Sequence, residues 1–432
     1  MLAARATACR PEARPVFAEG LASSYEAFLH TRRAATESLD NDDDDKPEIE
    51  SGDQVANWYL ERLEKALPLD DPRSSSGHPK IAATANRVLN LWQRGEKVVV
   101  FCHYVQTGRV LRQVISGQML EKIYRDGAEK LACPMNKVEA ELERRGQRFF
   151  DVDSPARRAC DAQVEKALAH YLQELDPHKD ELQEVIRRYL RTPSFLVRFF
   201  PLSGGRLNED AVNQAFTSVD DSGLTLREML SEFFAFLAER CIEEERRQYL
   251  AAISSIQTGA INGLDVLDSL ALDERQGAEP ERLLANVRLV NGAVKSETRQ
   301  RLMLTFNSPF FPEVLIASSV MAEGVDLHRF CRHVIHHDLC WNPSTLEQRT
   351  GRVDRIGAKV ERCGKSIRVY LPYLAETQDE KQYRVVMDRE RWFSVVMGEK
   401  FNVDARNTEK LAQRIPLPTC LMRELTLRLE VV

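Results

Sequence analysis

The sequence predicts an α/β protein: a parallel sheet with helices on both faces, interrupted by a large all-helical insertion. Three observations carry this. Lys97 to Cys102, Val287 to Val290, Val314 to Ala317 and His333 to Leu339 are short apolar runs, the pattern of strands buried on both faces. Helical periodicity flanks them over Ile81 to Trp92, Gly108 to Ile115 and Glu297 to Phe306. From residue 117 to 286 the strand pattern stops and helical periodicity stands alone.

Length and composition set the bounds. A chain of 432 residues with 43% hydrophobic and 29% charged residues is globular and long enough for two or three domains. Its net charge of -6 excludes a generally basic coat for nucleic acid, so any polyanion contact must be a local patch. No apolar run approaches the roughly 18 residues of a membrane span. The nine cysteines include no C-x-x-C pair, which fits reduced thiols. A cytoplasmic location with no membrane contact is the expectation.

In chain order, residues 1–77 read as a connector. Leu21 to Ala35 and Val55 to Leu67 have helical spacing, Asp42 to Asp45 form an acidic run, and Arg73 to Gly77 make a flexible break. From His78 a helix leads through Gly95 into the strand Lys97 to Cys102, with His103 at its end, where open α/β sheets place ligands. A core histidine with satisfied nitrogens is the alternative. In the insertion, Leu226, Met229, Leu230, Phe233, Phe234 and Leu237 share one face, and Thr225 with Glu228 supplies a capping box. An insertion of this size is expected to hold its own core. Its arginine pairs, such as Arg144-Arg145 and Arg246-Arg247, are interleaved with acids and read as solvated faces. Ser366 to Leu371 is the last strand, Thr377 to Met397 a charged helix, and 401–432 a tail.

The richest stretch runs from Val314 to Gly357. A strand ends at Ser318-Ser319, a polar loop follows with Glu323-Gly324-Val325-Asp326-Leu327, and a second strand leads to Trp341-Asn342. Ser344 as N-cap and Glu347 three residues on predict a helix start. On that helix Gln348, Arg352 and Arg355 stand at i, i+4 and i+7, projecting from one face. Gly351 inside it costs about 1 kcal/mol relative to alanine, which predicts a close neighbour. Two arginine forks one turn apart suit a polyphosphate. The plain alternative is a solvated face of Arg349, Arg352 and Arg355 beside Glu347 and Asp354. The histidines and cysteines at 328, 331, 333, 336, 337 and 340 lack paired zinc spacing, so no metal is expected.

Taken together, VLIAS, EGVDL, HHDLCWNPS and QRTGRVDRIG resemble motifs V and VI of superfamily-two helicases, particularly the Swi/Snf-like DNA translocases of a bacterial type with a helical insertion. The likeness spans residues 78–116 and 287–400. FCHY stands at the motif IV position, and residues 21–35 are similar to the segment that closes a first motor domain. It implies a RecA-like domain in two pieces, 78–116 and 287–400, with 1–77 ending a first motor domain. It also implies ATP and Mg2+ shared with that first RecA-like domain, and double-stranded DNA as partner. Arg352 and Arg355 become catalytic arginine fingers, a device worth about 10³ to 10⁵ in rate. Gly324, Asp326 and Gln348 become nucleotide contacts, and His103, Ser318, Ser319, Trp341 and Asn342 the DNA track. Asp326 departs from the asparagine often found in Swi/Snf members.

A phosphate-binding loop is not legible. Gly364-Lys365-Ser366 has Lys359 where the loop's first glycine belongs, and it precedes a strand instead of opening a helix. Asp273-Glu274 follows no strand, so it makes no DExH box. The expectation is therefore the C-terminal half of an ATP-dependent helicase or translocase, inactive alone, its first motor domain supplied in cis or in trans. The competing expectation is a non-catalytic DNA- or protein-binding module that recruits through 117–286.

Overall fold

The computed structural model describes residues 14–33, 62, 77–202, 208–255, 260–262, 282–292, 294–318 and 326–396. The acidic run at 42–45, the helix expected over 55–67, Ser319, Gly324, Asp273-Glu274 and the tail lie outside these residues.

Two helices, α1 (Arg14–Ser23) and α2 (Tyr25–Arg33), precede α3 (Pro79–Gln93) and strand β1 (Lys97–Phe101). The helix after β1 runs far beyond the predicted Ile115: α4 spans Val105–Leu131. Gly108 lets it approach the sheet, since a Cβ there would lie 2.8 Å from Leu289 Cδ1. The insertion continues through α5 (Val138–Phe149), α6 (Pro155–Leu168), α7 (Leu172–Leu175), α8 (Lys179–Leu190), α9 (Pro193–Phe199), α10 (Glu209–Thr217), α11 (Leu226–Glu239) and α12 (Glu243–Ser254). A short antiparallel pair, β2 (Ala260–Asn262) with β3 (Arg282–Leu284), closes it, so its end is not helical. Then come β4 (Val287–Val290), α13 (Ser296–Phe306), β5 (Val314–Ala317), β6 (Cys331–His336) and α14 (Pro343–Thr350). The last elements are α15 (Lys359–Cys363), β7 (Arg368–Tyr370) and α16 (Gln378–Val396).

The five long-range strands form one parallel sheet in the order β4-β5-β1-β6-β7. This is the RecA-like arrangement, with the central strand β1 buried along its whole length. Its side chains alternate between faces. Val98 and Val100 join a core with α3, α4 and the insertion helices; Val99 and Phe101 join a smaller core with Met303, Phe306, Leu327 and Val353.

The expectation that the insertion holds its own core is corrected. One continuous cluster runs from Val98 and Ile316 through Tyr189 and Phe195 to Phe233 and Leu250. Phe233 stacks edge-on against Phe310 and Phe330, which precede β5 and β6. The strands present an apolar face that α3 and α4 alone do not cover, and the insertion covers the rest. The capping box at Thr225 and Glu228 forms as predicted. The basic pairs are divided: Arg144 and Arg247 are exposed, whereas Arg187 is buried against Asp161, and Arg246 binds Glu243 and the carbonyls of Leu237 and Cys241.

The N-terminal helices also belong to this body. Ser23 and Ser24 hydroxyls meet Thr107 Oγ1 at 2.6 and 2.9 Å. His337 bridges Thr84 Oγ1 and the Ser23 carbonyl.

Candidate functional site

The site is built on the Val99/Phe101 face. After β5 the chain re-enters the described residues at Asp326, whose carbonyl accepts from Asn307 Nδ2 at the end of α13. The Leu327 amide donates to the Arg352 carbonyl at 2.9 Å. The Asp326 carboxylate pairs with the Arg355 guanidinium, both groups partly exposed. Two segments distant in sequence thus meet in one surface.

The helix that carries the arginines differs from the expectation in three ways. It begins at Pro343 with Asn342 as its cap, the Asn342 Oδ1 accepting from the Ser344 amide at 3.0 Å. Proline at the first helical position favours this earlier start over Ser344. Secondly, the helix ends at Thr350, and Gly351 is its C-cap. Arg352 and Arg355 therefore lie in the turns that follow, with amides of residues 352, 353 and 354 bonded to the carbonyls of Arg349 and Thr350. They do not share a helical stripe with Gln348, which is exposed on α14. Thirdly, among the described residues no neighbour presses on Gly351: a Cβ there would meet only the Glu347 and Gln348 carbonyls of its own helix, at 3.3 and 3.4 Å. The helix ends at Gly351 with the backbone still right-handed, at φ -60 and ψ -13, a conformation that does not require glycine.

Arg349 is also not a solvated residue. It is 0% exposed, lies over the Phe101 ring at 5.6 Å, and its guanidinium nitrogens have no hydrogen-bond partner among the described residues. Beside it His336 stacks on Phe101 and shares a hydrogen bond with Thr350 Oγ1. Burial, reinforced by the Arg349 charge, pushes the His336 imidazole down to about 3.

The other predicted residues cluster at the outgoing ends of the strands. His103 is half-buried; its amide donates to the buried Asp338 carboxylate at 2.7 Å and its ring meets Tyr104 edge-on. Ser318 is 2% exposed and its hydroxyl has no hydrogen-bond partner among the described residues. Trp341 is 37% exposed and donates from Nε1 to Glu19 at 2.7 Å. Asn342 is exposed, with its side-chain oxygen engaged in the α14 cap.

Sequence reading takes Arg349 for a solvated residue, and misses Asp338 and a largely buried charged cluster at the incoming ends of β1 and β6. There Glu96, Asp221 and His333 bring ligand-type atoms within 4.8 Å of one another. Arg332 already occupies the cation position, 2.7 Å from Glu96 and 3.0 Å from Asp221. Burial would raise Glu96, but neighbouring His333 and Lys359 hold its carboxyl down to about 2. The protein's own cations balance the cluster.

Residues 268–357 match the model of the helicase conserved C-terminal domain. Over 87 residues the chain is 36% identical to the uncharacterized ATP-dependent helicase YqhH of Bacillus subtilis, covering 20% of this chain and 14% of that protein. Over 65 residues it is 46% identical to the RNA polymerase-associated protein RapA of Vibrio cholerae, covering 15% of this chain and 6% of RapA. The matches thus span a small part of either relative. Among solved structures, the C-terminal part of the Fun30 ATPase domain aligns over 76% of this chain and 95% of its own, at 12% identity and a TM-score of 0.21. The matched stretch ends on the arginine turn, and residues 268–357 are those of a helicase conserved C-terminal domain.

Proposed function

We propose that this chain is the C-terminal half of an ATP-driven DNA translocase or helicase. Arg352 and Arg355 reach the terminal phosphate of an ATP held between this domain and a first RecA-like domain. That first domain supplies the phosphate-binding loop and the carboxylates for Mg2+. Arg352 and Arg355 stabilise charge that develops on the transferred group, a role guanidinium forks fill with little reorganisation. Asp326, Gln348 and the segment around Gly324 frame the nucleotide. His103, Trp341 and Asn342 face double-stranded DNA at the outgoing strand ends, with the buried Ser318 behind them; Ser319, outside the described residues, belongs to the same proposed track.

The observation that supports this most is the junction of the two motifs: the Leu327 amide on the Arg352 carbonyl, and Asp326 on Arg355. A solvated helix face needs neither. Arg355 is held by a carboxylate that is itself partly exposed, so a polyphosphate can compete for the guanidinium at low cost.

The test is DNA-stimulated ATP hydrolysis by the 432-residue chain, first alone and then fused to or mixed with a first motor domain. The chain alone is expected to be inactive and the pair active. Activity of the pair that survives Arg352→Ala overturns the assignment. Turnover by the chain alone that Arg355→Ala abolishes means a phosphate-binding loop lies within this sequence.

A further inference from the structure

We propose that Lys359 is a positioning residue for Arg352 and Arg355, and that through it the helical insertion sets the conformation of the arginine turn. The link to arginine function rests on the motor reading above; the mechanical link does not.

Lys359 follows Arg355 by four residues and is 0% exposed. Its ammonium donates to Glu96 Oε2 at 2.8 Å and to Asp220 Oδ2 at 2.5 Å. Glu96 leads into β1, whereas Asp220 belongs to the insertion, in the turn before α11. The backbone of Lys359 is tied as well, its amide donating to the His328 carbonyl at 2.9 Å. Burial alone would lower the lysine's affinity for its proton, but the two carboxylates more than offset it and raise the pKa. The ammonium is therefore a fixed cation, and either carboxylate left alone in this buried place would be costly.

The insertion turn is itself held rigidly. Asp220 Oδ1 accepts from the Ser222 and Leu224 amides, leaving Oδ2 for Lys359. The Asp221 amide donates to the Arg94 carbonyl at 2.9 Å. Gly95, at φ +81, lets the two turns touch: a Cβ there would lie 3.0 Å from Asp220 Cβ. Arg332 ties Glu96 to Asp221 in turn.

The arginine turn is thus suspended between two anchors. One is the Leu327 amide on the Arg352 carbonyl; the other is the pair of bonds at Lys359, reached through the Ala358 amide on the Arg355 carbonyl at 3.0 Å. Between them Val353 is buried in the smaller core, and only beyond it is the chain open, with Ile356 95% exposed and Gly357 at φ +80. The insertion covers one face of the sheet and the arginines lie on the other. Lys359 carries the connection round the sheet's incoming edge. Force applied to the insertion by any bound partner is delivered to the segment that bears Arg355.

Hydrogen exchange of the full 432-residue chain tests the joint. In Asp220→Asn, which keeps the side-chain shape and repels the ammonium, amides within 352–359 should exchange about tenfold faster or more, while those of β1 and β5 keep their protection. Gly95→Ala is the second variant; it pushes the turns apart without removing a charge and should give the same pattern. Unchanged exchange at 352–359 in both variants, or loss spread equally over β1 and β5 in both, overturns the proposal. With a first motor domain supplied, Asp220→Asn should lower kcat while KM for ATP changes by less than about twofold. Unchanged kcat despite faster exchange overturns the positioning role. A wild-type pair that turns over no ATP overturns the motor reading, and the exchange data still decide the joint.

Discussion

The two faces of the sheet are stabilised in different ways. On the Val98/Val100 face the insertion builds a deep aromatic core, with Tyr189, Phe195 and Phe233 packed against loops that precede the strands. On the Val99/Phe101 face the apolar layer is thin, and charged groups sit directly on it: Arg349 over Phe101, then Arg352 and Arg355 in open turns. The first face supplies rigidity by burial, which is non-directional and large. The second is where we propose the chemistry lies, and there a few directional bonds hold the arginine side chains. On that reading, a surface that exchanges ligands is underpinned by one that does not.

That contrast predicts which substitutions separate function from stability. Arg352→Ala should reduce ATP turnover of the paired motor by about 10³-fold or more, while changing the unfolding free energy measured in urea by no more than about 0.5 kcal/mol. A large loss of stability in that variant would mean the arginine is part of the core. Phe233→Ala should do the reverse, costing about 3 to 5 kcal/mol. Because its core is continuous with the sheet, insertion and sheet should unfold together. Two separate transitions, followed by far-UV and tryptophan signals, would show that the insertion is an independent unit.

Legibility in the sequence followed the same division. Strands buried on both faces declare themselves, and Val314–Ala317 appears with the predicted bounds because four consecutive apolar residues leave no other reading. Local capping is harder. Ser344 with Glu347 satisfies the pattern of a helix start, but Asn342-Pro343 satisfies it two residues earlier and proline fixes the backbone there. Gly351 marks no close neighbour among the described residues; the helix ends there, and both arginines fall in the turns that follow. Lys359 was legible only as the residue that spoils a phosphate-loop pattern. Its partners, Glu96 and Asp220, are 263 and 139 positions away, a distance over which charge patterning in sequence carries no signal. The size of the insertion could be read, but not that its inner surface completes the core of the sheet.

Acid should reveal how many polar groups the folded chain holds in their neutral form. Burial drives His328 and His337 down to about 4 and His336 to about 3, from an ordinary value of 6.5. The unfolded chain therefore takes up protons between pH 6.5 and 4 that the folded chain refuses. Stability is whole above about pH 6.5 and falls as pH drops. Each refused proton contributes about 1.4 kcal/mol per pH unit within that window. From these three histidines, stability measured in urea from pH 7 to pH 5 should fall ever more steeply, the slope approaching that of three protons as the pH nears 5. His337→Gln should lower that count by about one. An unchanged steepness would mean that the chain Thr84, His337, Ser23 opens to water.

The smallest effect belongs to the exposed ion pair on the arginine face. Asp326→Asn removes the charge that holds Arg355, but both groups are partly exposed, so stability should change by less than about 1 kcal/mol. The consequence lies in partner exchange. With asparagine at 326 the guanidinium loses an anionic competitor, and tripolyphosphate titrated against the 432-residue chain should perturb the Arg355 side-chain signal at lower concentration than in the wild type. If Asp326 instead orients Arg355 towards the phosphate, the variant should bind more weakly. The sign of that shift decides whether the aspartate restrains the arginine or presents it.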